Sequence, residues 1–330
     1  MNMLNFKLRS LAIAAFAAGQ LNAGFALAAA ATPIINPAAP AERIASALTS
    51  GMLAAQKAGN RVVAVGNHGV ILLSDDDGKT FRQAASVPTR ATLTAVAFAD
   101  ARNGWAVGHW GVVLHTGDGG ENWTLQRSDI ATDRPLFSVY FKDAAEGWAA
   151  GLWSLMLHTA DGGKTWAEVK LPAPAGATKA DANLYAIAGA KHGAIYVAAE
   201  RGLLLKSTDG GQNWTYCQTG EKGSLWSALV LQDGSVLAGG LRGALTRSTD
   251  GGQTWTSVRP DGYQNSITAL AQGADGHVTA VGLDGLVLSS ENGGATFKGA
   301  QRPDRLPLNA VVARGAKPLL FSQGGPVSDE

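Results

Sequence analysis

Three arginines, Arg201, Arg242 and Arg305, one tyrosine, Tyr263, and two glutamates, Glu200 and Glu221, are of the types that could hydrolyse a glycosidic bond in an acidic sugar. In that chemistry a guanidinium triad would hold the substrate carboxylate, the phenol would attack, and a neighbouring carboxylate would take up its proton. Nothing in their spacing binds these residues into one unit. Histidine offers no other centre: His68, His109, His115, His158, His192 and His277 form no His-x-His or His-x-x-x-His pair, and no cysteine stands near them. No metal and no cofactor is therefore expected. His115 and His158 recur at one position of successive repeats, which points to packing.

The acidic residues that do follow a rule are Asp76, Asp118, Asp161, Asp209 and Asp250, joined by Asn292. Each stands two residues after Ser or Thr, two before Gly and five before an aromatic residue. The octet "STDGGQNW", Ser207 to Trp214, is nearly rewritten as "STDGGQTW", Ser248 to Trp255. The closing aromatics fall at 81, 123, 166, 214, 255 and 297, so the period is 41 to 48 residues, that of an array built from one supersecondary unit. Glycine supplies positive φ and an Asp carboxylate accepts hydrogen bonds from turn amides, so the motif reads as a hairpin that every repeat needs. These six residues are assigned a structural role, not a catalytic or metal-binding one.

One period, Leu93 to Arg127, contains four strand-like pieces bounded by Gly, Asn or Asp. Four antiparallel strands per repeat make a propeller blade. First strands begin near Gly51, Leu93, Leu136, Leu184, Leu225 and Ile267, and a seventh repeat opens at Leu308 without room for its outer strands. The expected fold is all-β, a seven-bladed propeller of four-stranded antiparallel blades over residues 51–330, with six blades and a tail as the alternative. Residues 31–50 are the segment expected to close the last blade, since closure removes exposed sheet edges.

Residues 1–30 read as a secretory signal peptide: Lys7 and Arg9 precede a short apolar run and then small residues suited to cleavage. Its removal takes the formal charge from +1 to −1, so no global basicity invites nucleic acid or an acidic membrane. The mature chain is expected in the periplasm or outside the cell, peripheral to a membrane at most, and monomeric. Cys217, the single cysteine, excludes an intramolecular disulfide and suits a small apolar position on an outer strand.

The repeated hairpin is the Asp-box, or BNR, motif of sialidases and many non-enzymatic propellers. Paired with "GWAVG" (Gly104 to Gly108) and "GWAAG" (Gly147 to Gly151), it resembles the photosystem II assembly and stability factor family across about residues 50–325. That resemblance implies a seven-bladed, lumenal or periplasmic assembly chaperone without catalysis, whose client is a protein subunit of a membrane complex. It also implies an arginine cluster on one face, carried here onto Arg201 and Arg242. A sialidase would instead begin with an aromatic-Arg-Ile/Leu-Pro motif, whereas "DRLP", Asp304 to Pro307, lies near the C-terminus and lacks the aromatic.

In a four-stranded meander the Asp-box turns share one end of the blade with the first-to-second strand turns. The opposite end carries the second-to-third strand turns and the blade linkers, and its residues vary: Asn67 and His68, His109 and Trp110, Leu152 and Trp153, Glu200 and Arg201, Leu241 and Arg242, Leu283 and Asp284. Variation on a constant scaffold is where binding resides. Arg201, Arg242, Arg134, Trp110, Trp153 and His109 are the residues expected to meet a protein partner, Arg and Trp being enriched at binding hot spots. The rival to that reading is a sialidase-like glycosidase or a glycan-binding propeller that stacks sugars on Trp110 and Trp153.

Overall fold

The computed structural model describes residues 39–190, 193–314 and 317–327. The expected signal peptide, the first eight residues of the 31–50 segment and His192 lie outside them. Among the described residues the chain forms seven antiparallel sheets in sequence order, six of four strands and a seventh of three. The six-bladed alternative is thereby excluded. The innermost strands are Met52–Ala58, Leu93–Phe98, Leu136–Phe141, Leu184–Gly189, Leu225–Val230, Ile267–Gln272 and Leu308–Val312. Each lies beside the next and the seventh lies beside the first, so the ring closes.

Closure follows from how the second strands are written. Arg61–Gly66, Gly104–Gly108, Gly147–Gly151, Ile195–Ala199, Val236–Gly240 and Val278–Gly282 are buried almost throughout, on both faces. Side chains alternate across a strand, so Val63 and Val65 pack toward the second blade while Val62 and Ala64 pack toward the seventh. The apolar interior is thus seven separate wedges, one at every blade junction. In "GWAVG", the fully buried Trp105 stacks on Phe141 of the next blade at a ring separation of 3.5 Å, and its indole donates to the Gly162 carbonyl at 3.0 Å. His115 and His158 lie 5.0 Å from the rings of Trp105 and Trp148, as packing partners within the repeat.

The seventh blade consists of Leu308–Val312, Leu319–Ser322 and Gly325–Val327, one strand more than its sequence promised. No strand from residues 39–50 joins it; Ala45–Thr49 instead forms a 3-10 helix that rests against Gly325–Val327 and inserts Ala47 into the junction of the seventh and first blades. That junction also holds Met52 and Phe321, with Phe321 edge-on to Phe81 at 5.9 Å. Asn309 Nδ2 donates to the Met52 carbonyl at 3.1 Å, and Arg314 Nη1 to the Asp77 carbonyl at 2.9 Å.

The Asp-box turns share one hydrogen-bond pattern. In the fourth blade Ser207 Oγ donates to Asp209 Oδ1 at 2.8 Å while accepting from the Gly211 amide at 2.8 Å. Asp209 Oδ1 also accepts from the Asn213 amide at 2.9 Å, and Oδ2 from Asn213 Nδ2 at 2.7 Å. Gly211 is bare because a Cβ there would strike the indole of Trp148 in the preceding blade. Asn292 performs the same task, its Oδ1 accepting from Ser290 Oγ at 2.9 Å and from the Thr296 amide at 3.0 Å.

These bonds hold the carboxyls of Asp76, Asp161 and Asp209 down to about 2, chiefly through the Thr80 hydroxyl, the Thr165 hydroxyl and the Asn213 amide respectively. A carboxyl with a depressed folded-state pKa stabilises fully above its unfolded value, 3.8, and loses that contribution as pH falls toward about 2. Thermal melting of wild type should therefore drop through this window. Asp76→Asn/Asp161→Asn/Asp209→Asn, which copies Asn292, should melt close to wild type at neutral pH and show a shallower drop in acid; an equally steep drop would remove the box carboxyls as its source. Phe321→Ala should cost about 3–5 kcal/mol in chemical denaturation, the range for emptying a buried aromatic site.

Candidate functional site: the loop face

At the end of the ring opposite the Asp-boxes, the second-to-third strand turns of six blades are single 3-10 turns, Asn67–Gly69, His109–Gly111, Leu152–Ser154, Glu200–Gly202, Leu241–Gly243 and Leu283–Gly285. Their central residues, His68, Trp110, Trp153, Arg201, Arg242 and Asp284, all have φ between 52° and 61°. Left-handed backbone is unfavourable for a residue with a side chain, and here it recurs at one position in six blades. The turn thereby lifts its most variable side chain onto one surface.

The third residue of each turn is glycine except in the third blade. At Gly202, φ 70°, a Cβ would collide with the Glu221 carbonyl of the following blade linker. Ser154 takes this position in the third blade with φ 59°, directly after Trp153 at 52°. Its amide and hydroxyl both donate to the Ala182 carbonyl, at 2.8 and 3.1 Å, and Asn183 Oδ1 accepts from the Trp153 amide at 3.0 Å. Two consecutive left-handed side-chain residues are thus held by the linker into the fourth blade. Trp153 is left 63% exposed.

Trp153 and Arg201 come together in a recess of about 640 Å³ lined also by Lys179, Ala180, Asp181, Asn183 and Glu200. Arg201 Nη2 lies 2.9 Å from Asp181 Oδ1, which holds the Asp181 carboxyl below its usual range. Glu200 accepts from Asn183 Nδ2 at 2.7 Å and from the Tyr185 hydroxyl at 3.3 Å. Arg242 lies in a second recess, of about 520 Å³, with Glu221, Lys222, Leu241 and Arg259. Three cations meet one carboxylate there.

Other sequence candidates are placed differently. Arg134 is paired with Glu168 on the outer strand of its blade at 3.1 Å. Trp110 is half-buried against the junction of the first and second blades, while His109 is exposed. Trp110 and Trp153 are therefore not equivalent platforms. Of the loop-face arginines, Arg90, Arg127, Arg302 and Arg305 are matched to Glu42, Asp129, Asp304 and Asp284. Among the described residues Lys179, Lys222, Arg242 and Arg259 have no ion-pair partner, and they belong to the fourth to sixth blades and their linkers. Tyr263 packs its ring on Gly299 in the apolar junction of the fifth and sixth blades. On the outer strand Thr215–Cys217, burial pushes the Cys217 thiol up.

Residues 83–215 match the family model of the photosynthesis system II assembly factor YCF48. The chain is a BNR propeller similar to that family. Two solved structures of YCF48 agree in fold: YCF48 bound to a D1 peptide, with a TM-score of 0.68 at 18% identity over 89% of this chain and 98% of that one, and YCF48 from Cyanidioschyzon merolae, with 0.67 at 18% identity over 88% and 98%. Virginiamycin B lyase from Staphylococcus aureus, an enzyme, also shares the fold, with 0.65 at 12% identity over 84% and 94%. No curated protein matches the sequence.

The YCF48-like match spans the hairpins and junctions of the second and third blades and most of the fourth, including Trp153 and Arg201. Two substitutions separate scaffold from surface there. Gly202→Ala should lose about 2 kcal/mol or more, from left-handed strain and the clash with Glu221. Trp153→Ala should stay within about 0.5 kcal/mol of wild type in the same denaturant titration, as an exposed side chain does.

Proposed function

We propose that this chain is an exported, non-enzymatic propeller that binds a protein client on its loop face and helps to assemble or stabilise a membrane protein complex. The observation that carries the reading is the pair of recesses formed by Trp153 and Arg201 and by Lys222, Arg242 and Arg259, displayed by turns whose backbone is the same and whose side chains are not. The YCF48-like match and the existence of a YCF48–D1 peptide complex support a client that is a protein from such a complex. Among the described residues no helix is long and apolar enough to cross a membrane. The sequence-derived signal peptide sends it to the periplasm, or to a lumen in a photosynthetic source.

The hydrolase reading finds no comparable support. Arg201 and Arg305 are paired with Asp181 and Asp284, and Tyr263 is packed into a blade junction instead of facing them. Affinity capture from solubilised envelope, with the mature protein as bait and bound proteins identified by mass spectrometry, tests the proposal. A membrane-complex subunit should be enriched by wild type and reduced at least tenfold with Trp153→Ala/Arg242→Ala. Equal recovery on both baits would remove the loop face from client binding.

A further inference from the structure

The propeller carries a third feature on its loop face, inside the ring of turns. In every blade the register between first and second strands slips by one residue just after the first strand begins, a β-bulge. The bulged residues are Leu53, Thr94, Phe137, Tyr185, Trp226, Thr268 and Asn309. All of them line the central channel, a cavity of about 440 Å³ with no charged residue in its wall. Bulges re-aim side chains and gather at functional sites, and seven at one level make a collar around the channel mouth.

The collar is lopsided. Thr94 and Thr268 each donate to the inner-strand carbonyl of the following blade, Leu136 and Leu308, at 2.6 Å, and Asn309 donates to that of Met52. These bulge residues tie blades together. In the third, fourth and fifth blades the same position holds Phe137, Tyr185 and Trp226. Phe137 and Tyr185 stack at 5.8 Å, and Tyr185 reaches Glu200 in the Trp153 recess. Across the channel the same position holds Leu53, Thr94, Thr268 and Asn309, and the residue after the bulge is small all round the ring, Ala54, Ala95, Ala186, Ala269 and Ala310 among them. An aromatic arc facing small side chains leaves a slot for a flat apolar group, and the volume falls within the range of about 300–1,000 Å³ typical of sites for small ligands.

We infer that the channel mouth receives an aromatic side chain from an acidic segment of the client, seated against Phe137, Tyr185 and Trp226 while Lys222, Arg242 and Arg259 hold the flanking carboxylates. The inference rests on the loop-face reading above. An uncharged wall disfavours a cationic guest, because a buried charge without a partner is costly. The three-to-one excess of cations in the Arg242 recess selects an acidic chain around the guest.

The test is calorimetric titration of the mature protein with a blocked acidic pentapeptide carrying phenylalanine at its centre, and with the same peptide carrying alanine. Wild type should bind the phenylalanine peptide at least about tenfold more tightly, the order of magnitude for one buried aromatic contact. Phe137→Thr/Trp226→Thr, which installs the residue natural to this bulge in the second and sixth blades, should melt like a folded propeller and bind both peptides equally weakly. Arg242→Ala should weaken both peptides and keep the preference. A wild type that does not prefer phenylalanine, that binds neither peptide, or a threonine variant that keeps the preference overturns the inference. The capture experiment judges the loop face independently, since its Trp153→Ala/Arg242→Ala bait changes no collar residue.

Discussion

Each blade's second strand is apolar on both faces and can be satisfied only between two neighbouring blades. A single blade would leave such a strand half wet, and a row of blades would leave two ends wet. Only a closed ring buries every second strand twice. The seventh blade contributes Phe321 and Leu319 to the first blade's Val62, Ala64 and Leu72, and the ring closes without a strand from residues 39–50 in that blade. Ala47, from a 3-10 helix, fills the junction sideways. Among the described residues the junction between the sixth and seventh blades has the fewest buried members, Val281, Leu308 and Val311.

Burial between blades also sets what the two ends can do. At the Asp-box end the turns must admit side chains of the preceding blade, Trp148 against Gly211 and Tyr196 beside Gly252, so the motif cannot drift. Its hydroxyl and carboxylate are consumed by turn amides, which leaves few lone pairs for chemistry. At the loop end the constraint falls on the backbone of the turn and, in five of the six blades, on its glycine, while the left-handed residue before it differs from blade to blade. One end is fixed by packing and the other is free to vary, and a binding surface follows from that difference.

Much of this was legible because the constraint repeats. The spacing of Asp76, Asp118, Asp161, Asp209, Asp250 and Asn292 located the third-to-fourth strand hairpin of six blades, and the starts expected near Gly51, Leu93 and Leu136 fall at Met52, Leu93 and Leu136. The short third strand of the seventh blade was missed because Gly325–Val327 contains Pro326 and carries no Asp-box. Pairing was invisible: Arg201, Arg242 and Arg134 look alike as letters, yet two are matched to Asp181 and Glu168 and one is not. Trp110 and Trp153 occupy equivalent places, but only a longer linker, reaching Asn183, holds Trp153 outward. The collar of bulges has its own trace in the sequence, since the second residue of each first strand, aligned across the repeats, gives Leu53, Thr94, Phe137, Tyr185, Trp226, Thr268 and Asn309.

A ring of seven similar blades presents the same geometry in seven directions, so selective recognition needs blades that differ. The differences gather on one side. The third to fifth blades hold the aromatic part of the collar, the consecutive left-handed pair Trp153 and Ser154, and the long linker that restrains it; Lys222, Arg242 and Arg259, which have no ion-pair partner among the described residues, gather in one recess at the fifth blade. Elsewhere on the ring, Thr94, Thr268 and Asn309 are occupied with joining blades, and Arg90, Arg302 and Arg305 with local carboxylates. Strain such as that at Trp153 and Ser154 costs stability and persists where the surroundings impose it. Here the rest of the ring supplies that support, because its repeated junctions hold the scaffold while one sector departs from the repeat.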